Sequence, residues 1–526
     1  MTDPFVPAAT AARTGVSRVA LIFAVILVLV GLAHALEEPV EGDEALYAML
    51  GKIVARGGVL YRDGYDNKPP GMICFYAALD RAFGLTARLM RIAAMFVGAA
   101  SVLLLWQVLS ALKVGEAARA AGILLYAVMY CARDLQANGC NIEIYLVPML
   151  LLSLLWLLDW EKTRGTGRLW AMGCLFAVGS IFKQNIVLNA LAALLAVLCF
   201  QRAEPVRRRL LSVAALSVPG IASWVALSAY FWFRGAFEDY ALALFHTTRV
   251  VAGATAGMFK DGVWPVLKTI AANRLGDTAP VWMLAAGGAV WIWNFSRDLP
   301  GRLLVMVWAA GSAAQIFLLG SLHPHYFIPS IPAAALVGVL AWNDSRRLAE
   351  SGPSGTVASA SWHHQALTGM LVLGFLWCGV DFVDYLGTEP KIVSMQKYGD
   401  DYVAGMNLGT VLGGLTRPGD LLLNLGAEPQ IYLYSGRMPA SRFFFTSHLD
   451  PRVDQEFAEQ GVREMLDDLR TKRPRVVVIS KFWPIPPKLV SAVTARYRLV
   501  HLGFVLDTYE LPSDPLPPFE WGASGR

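Results

Sequence analysis

Apolar residues fill most of this chain in long runs instead of alternating with polar ones. Eleven runs stand out, near residues 19–36, 88–111, 118–131, 143–159, 169–182, 186–200, 210–232, 280–295, 303–320, 326–342 and 367–387. A helix needs roughly 17 to 25 such residues to cross a hydrocarbon core of about 30 Å. The pattern predicts an α-helical polytopic membrane protein with about eleven transmembrane helices. Lys and Arg collect in alternate gaps: Arg13 and Arg18; Lys113 and Arg119; Lys162, Arg164 and Arg168; Arg202 and Arg207 to Arg209; Arg297 and Arg302; Arg346 and Arg347. Basic gaps face the cytoplasm. The 37–87 loop, the 233–279 loop and the C-terminus are then expected outside, which for a bacterial inner membrane is the periplasm. Arg13, Arg18 and the Ala33 to Ala35 stretch share the layout of a cleavable signal. Because the apolar run continues through Leu36, it is read as a retained anchor.

After Tyr385 the pattern changes to that of a soluble domain. GDLLLNLG and PRVVVIS read as buried strands, DPRVDQEFAEQGVREMLDDLRTK and PPKLVSAVTARY as helices, and YRLVHLGFVLDTYEL as further strand. The expected organisation is a transmembrane domain over 1–387 and a periplasmic α/β domain over 388–526. Within the 37–87 loop, Asp43 to Arg56 has Leu46, Leu50, Ile53 and Val54 on one face and Gly57 as a stop. Too short to span, it is expected to lie along the membrane surface, followed by a second such helix from Pro69 to about Phe83.

Composition agrees: 56% of the 526 residues are hydrophobic and 16% charged. The net charge of +5 reports the basic inner loops, and no nucleic-acid partner is inferred from it. Of six cysteines, only Cys131 and Cys140 flank one outer turn, where a disulfide could form.

The candidate chemistry lies in the 37–87 loop. Asp43, beside Glu44 and one turn before Tyr47, reads either as a general base for an attacking hydroxyl or as a helix N-cap. Lys68 precedes Pro69 and Pro70, whose missing N–H groups cost little in a first helical turn. An ammonium ahead of a helix N-terminus makes an anion site, although a lysine there can also simply reach the headgroups. Carboxylate and anion site together suggest chemistry on a phosphorylated lipid at the membrane surface. Elsewhere, Lys183 is a second hydrogen-bond donor to the phosphate or an interfacial anchor. His323 and His325, two apart, lack a third metal ligand at a recognisable spacing. Arg133 and Asp134 are expected to pair with each other.

GDEALYAMLGKIVARGGVLYRDGYDNKPPG resembles the first periplasmic loop of the GT-C glycosyltransferases that use polyprenyl-phosphate sugars. That group includes protein O-mannosyltransferases, lipid A aminoarabinose transferases and rhizobial lipopolysaccharide galacturonosyltransferases. NIEIY (141–145), FKQN (182–185), FRGAFEDY (233–240), HPHYFIP (323–329) and GRMPASRFFF (436–445) are similar to later elements of the group. The resemblance implies an inverting transfer of sugar from a polyprenyl-phosphate donor to a hydroxyl of a lipopolysaccharide, glycolipid, polymer or protein. It implies Asp43, with Glu44, as catalytic, and Lys68, with Lys183 or Arg249, at the donor phosphate. Tyr47, Tyr61, Asp66, Glu143, His325 and Tyr326 fall on the sugar or acceptor side. Glu143 could also help to hold a divalent metal, the one cofactor considered. Asn67 departs from the aminoarabinose transferases, which have an acidic residue before the lysine, and so weighs against a tightly held metal.

Two other classes fit parts of this pattern. A lipid-linked-sugar flippase or transporter usually shows related halves and polar mid-span residues, whereas here polar residues gather at the outer ends. An oligosaccharide ligase of the N-glycosylation type carries a WWD signature absent from this chain.

Overall fold

The computed structural model describes residues 9–246, 253, 257–273, 276–299, 301–318, 322–351, 354–452 and 454–517. A helix lies on each of the eleven apolar runs. Among the described residues, six segments are long and apolar enough to cross a membrane: Gly15–Glu37, Ala87–Ala111, Ile142–Thr163, Val206–Phe233, Pro324–Glu350 and Ala360–Gly387. Thr166–Phe182, Gln184–Phe200 and Arg302–Phe317 are shorter apolar helices. The chain divides into two compact units, described separately below.

The first unit combines Met1–Ala35, Arg91–Val225 and Ala252–Thr388. Its helices touch through small residues. A Cβ on Gly173 would stand 2.1 Å from the Ala215 carbonyl oxygen, so only glycine lets those two backbones meet. Charges inside this unit are compensated. Arg302 donates to Asp344 through Nε at 2.9 Å and Nη2 at 2.7 Å, with both side chains almost wholly buried. Arg133 pairs with Asp381 at 2.9 Å and Asp384 at 2.8 Å, in the last apolar helix, and the Asp134 side chain expected to pair with it lies outside the described residues. The six cysteines are thiols, Cys131 and Cys140 among them.

The second unit combines Leu36–Met90, Ala226–Val251 and Glu389–Arg526. Its sheet has strands β1 (Leu421–Leu425), β2 (Met438–Pro439), β3 (Val476–Ser480), β4 (Arg498–Leu502) and β5 (Leu506–Glu510), in the order β2-β1-β3-β5-β4. The β2, β1 and β3 strands run parallel, and β5 and β4 are antiparallel. All five residues of β3 are buried, as expected of a central strand. The Gln455–Thr471 helix feeds β3, capped by Asp454, whose side chain accepts from Phe457 N at 2.9 Å.

The loop helices run over Gly42–Ala55 and Gly71–Phe83. The first packs against protein on nearly all its sides and not by one apolar face alone. Leu46 and Leu50 are wholly buried, but so are Ala45, Tyr47, Ala48 and Met49, nearly all the way round. Small residues make this possible, since a Cβ on Gly51 would meet Tyr76 of the second helix at 2.8 Å. The C-terminal residues hold the entry to this helix. Lys397 pairs with Glu38 at 2.6 Å, Gln430 Nε2 donates to Val40 O at 3.0 Å, and Tyr434 Oη accepts from Val40 N at 3.3 Å. The first loop and the C-terminal sheet therefore belong to one packed unit, whereas a boundary at residue 388 separates them.

Two expectations follow. Replacing Asp344 by Ala strands the Arg302 guanidinium and should cost about 3–5 kcal/mol, seen as a lower thermal midpoint in detergent. The Arg302→Met/Asp344→Leu pair should recover most of it. Second, Glu428 is 1% exposed and accepts from Ser480 Oγ at 2.7 Å and Asn424 Nδ2 at 3.2 Å. Burial pushes its carboxyl up to about 7, against about 4.3 in an unfolded chain. The unfolded state thus loses its proton first, and this carboxyl's contribution is full below about pH 4.3 and lost by about pH 7. Glu428→Gln should stabilise the protein at pH 8, by up to about 3 kcal/mol, and much less at pH 5. An equal shift at both pH values would refute burial as the cause.

Candidate active site

The Gly42–Ala55 helix starts with a capping box. The Glu41 carboxylate accepts from Asp43 N at 2.8 Å and Glu44 N at 3.4 Å, while Glu44 Oε2 accepts from Glu41 N at 3.0 Å. Glu41 is the cap, so Asp43 does not fill that role. Glu44, expected to be catalytic, is fully buried as the return arm of the box. Three carboxylates in four residues are tolerated because the helix N-terminus favours negative charge. Burial, then the like charges of Asp43 and Glu44, also holds Glu41 well above the usual carboxylate range.

Asp43 is left projecting from the first turn. Its Oδ2 accepts from Tyr47 Oη at 3.1 Å and lies 3.4 Å from Lys68 Nζ. The ammonium is 3.5 Å from Asp66 Oδ1 and 5.2 Å from the centre of the Tyr47 ring. Both Lys68 and Asp43 keep about a fifth of their side-chain surface exposed, whereas Asp66 has none. Pro69 and Pro70 turn the chain directly into the Gly71–Phe83 helix, whose first N–H groups belong to Gly71 and Met72. Lys68 thus stands at a helix N-terminus, as its sequence context predicts.

Asp66 is a buried anion with several neighbours. Its Oδ1 accepts from Asn67 N at 2.7 Å and faces Lys68 and, at 3.4 Å, His448 Nε2. Its Oδ2 has no hydrogen-bond partner among the described residues. Burial alone would raise this carboxyl, but Lys68 and His448 outweigh it and hold it below its usual range.

Tyr61 holds the loop's shape. Its φ of 71° lies in the left-handed region, a conformation that costs a bulky residue of order 1 kcal/mol or more. Several contacts maintain it. Its N–H donates to Gly64 O at 2.7 Å, and its hydroxyl donates to Lys68 O at 2.8 Å. Its ring packs on Phe231 and Tyr240. Arg442 donates to Tyr61 O at 3.2 Å, to Asp239 at 2.5 Å and to both oxygens of Glu464 at 2.7 and 2.8 Å. One guanidinium therefore joins all three stretches of chain that make up this unit. Arg442 lies inside the GRMPASRFFF stretch; His448 just beyond it carries no sequence signal.

A second polar cluster forms in the first unit. Glu143, in the first turn of the Ile142–Thr163 helix, pairs with Lys183, which caps the end of Thr166–Phe182. Lys183 Nζ lies 4.4 Å from the centre of the Tyr326 ring. His325 Nε2 is 3.9 Å from Glu143 Oε1, and its Nδ1 meets Gln136 Oε1 at 3.3 Å. Sequence reasoning named four of these residues separately and missed Gln136. Arg249, expected at the donor phosphate, lies outside the described residues. Among the described residues no three His, Cys, Asp or Glu side chains are grouped to hold a metal, and Glu143, the possible metal ligand, is paired with Lys183.

Comparison with known proteins bears on the fold. Residues 67–239 match the family model described as dolichyl-phosphate-mannose-protein mannosyltransferase. No curated protein matches the chain in sequence. Among solved structures, ArnT from Cupriavidus metallidurans bound to undecaprenyl phosphate superimposes with a TM-score of 0.61 at 16% identity, over 94% of this chain and 98% of that one. The same protein in its apo state gives 0.61 at 15%, over 95% and 98%. Identity this low speaks to fold alone, and the shared fold extends over almost the whole of both chains. The matched segment begins at Asn67, one residue before Lys68, and the fold is shared with ArnT over nearly the full length of both chains.

Proposed function

We propose that the protein moves a sugar from a polyprenyl-phosphate donor to a hydroxyl on a periplasmic-side acceptor. The observation that carries this reading is the 3.4 Å approach of Lys68 and Asp43 at the start of two packed helices, which puts a cation and a base beside one another. The donor class is supported by the ArnT structure with undecaprenyl phosphate and by the dolichyl-phosphate-mannose family description.

In the proposed step the acceptor oxygen attacks C1 of the sugar and the C1–O bond to phosphate breaks. The bonding pair leaves on the phosphate oxygen as polyprenyl phosphate, and the acceptor proton passes to the Asp43 carboxylate. A single displacement inverts the anomeric centre without a sugar-enzyme intermediate. Negative charge grows on the phosphate as the bond breaks, so Lys68 and the N–H groups opening the Gly71–Phe83 helix favour the transition state over the bound donor. Tyr47, donating to Asp43 Oδ2, keeps the carboxylate oriented. The Glu143, Lys183, His325 and Tyr326 group is proposed to contact substrate. Its variants need a stability control, because removing one member of a buried pair weakens folding by itself.

The test is transfer in proteoliposomes supplied with a panel of polyprenyl-phosphate sugars and envelope lipids as acceptors. Asp43→Asn should lower turnover by about 10²–10⁴-fold while donor binding persists, and Lys68→Ala should weaken donor binding. Normal transfer by both variants removes the first loop from the chemistry. Movement of lipid-linked sugar between leaflets without product would replace this reading with a flippase.

A further inference from the structure

The C-terminal residues contribute more than packing to the Lys68 site. His448 sits in the short Thr446–Leu449 helix, nearly four hundred positions from the loop it touches, with its ring against Tyr65 at 5.4 Å and Phe445 at 5.3 Å. Its Nε2 reaches the Asp66 oxygen that Lys68 Nζ also faces. We propose that protonated His448 is a positioning residue that takes over the Asp66 carboxylate and so releases Lys68 to the donor phosphate.

The argument rests on the reading of Lys68 as the phosphate site, and it follows from counting charges. One ammonium lies between two carboxylates, Asp43 and Asp66, so the group carries a net negative charge before any donor arrives. A polyprenyl-phosphate sugar brings another. If Lys68 turns to the phosphate, Asp66 is left behind with no exposed surface, and a buried anion without a counter-charge is costly. A second cation on Asp66 removes that cost, and His448 is the titratable group in place to provide it. Three donors already converge on Oδ1, the Asn67 N–H, Lys68 and His448, so a gain by one loosens the hold of another. The remaining charged and titratable groups nearby do not replace it. Asp43 lies beyond Lys68, and Tyr65 presents its ring. On the segment that follows, Asp450 is paired with Arg452 at 2.6 Å, and Asp454 caps its own helix.

An imidazole is a cation only when protonated, so donor affinity should fall as pH rises. The donor phosphodiester keeps one fixed charge over this range and adds no dependence. The experiment measures the Kd of polyprenyl-phosphate mannose between pH 5.5 and 8.5 for the full-length protein in detergent, with the thermal midpoint followed alongside. The wild type should bind roughly three- to tenfold more tightly at the acid end. His448→Gln should bind weakly and equally at every pH, and His448→Lys, charged throughout, should restore tight binding with a flat profile. Asp66→Asn should make His448→Gln silent, because no carboxylate is then left to compensate. A wild-type pH profile in His448→Gln overturns the proposal, as does weak binding that His448→Lys leaves unrescued. If Lys68→Ala weakens binding but His448→Gln does not, only His448 is misassigned. If Lys68→Ala binds normally, the phosphate reading fails and takes this proposal with it.

Discussion

Keeping a lysine charge beside two carboxylates, one of them fully buried, is the constraint around which the loop unit is organised. Lys68 can lie 3.4 Å from Asp43 and 3.5 Å from Asp66 only if both acidic groups are held in place from elsewhere. Asp43 is held by a capping box that uses its neighbours Glu41 and Glu44 and leaves its own carboxylate projecting. Asp66 is held by its turn and by His448. The turn depends on Tyr61 staying in a left-handed conformation, and Arg442 anchors that residue to Asp239 and Glu464.

The same rule governs the rest of the chain. With so few charged residues among so many apolar ones, several of the buried charges come as partners. Arg302 has Asp344, Lys183 has Glu143, and Lys397 has Glu38. Each pair joins segments distant in sequence, so pairing also selects which helices pack together. Such pairs add less stability than their Coulomb attraction suggests, since desolvation offsets most of it. What they provide is register, because a helix in the wrong place leaves a charge unanswered.

Much of the candidate site could be read from the chain. The Asp43 to Tyr47 spacing is one helical turn, and a lysine followed by two prolines announces a helix start, so both ends of the Lys68–Asp43 contact were foreseen. That Glu44 closes the cap could not be read there, because an acidic pair at a helix start does not reveal which member points out and which closes the cap. The periodicity of the first loop helix shows only one of its packed faces. Its apolar stripe is real, but alanine and glycine on its other faces let neighbours pack there as well.

Helices on the apolar runs, the strands of the α/β sheet and the anion-binding start of the second loop helix are set by the sequence itself, since each depends on side chains within a few residues of one another. Run length, residue period and proline placement are local, and local interactions leave local patterns. The joining of the first loop to the C-terminal sheet, the Arg442 hub, and the meeting of His448 with Asp66 and of Lys183 with Glu143 were decided only by tertiary structure. Those contacts close over tens to hundreds of residues. No spacing rule connects their members, and only the packed backbone brings them within reach.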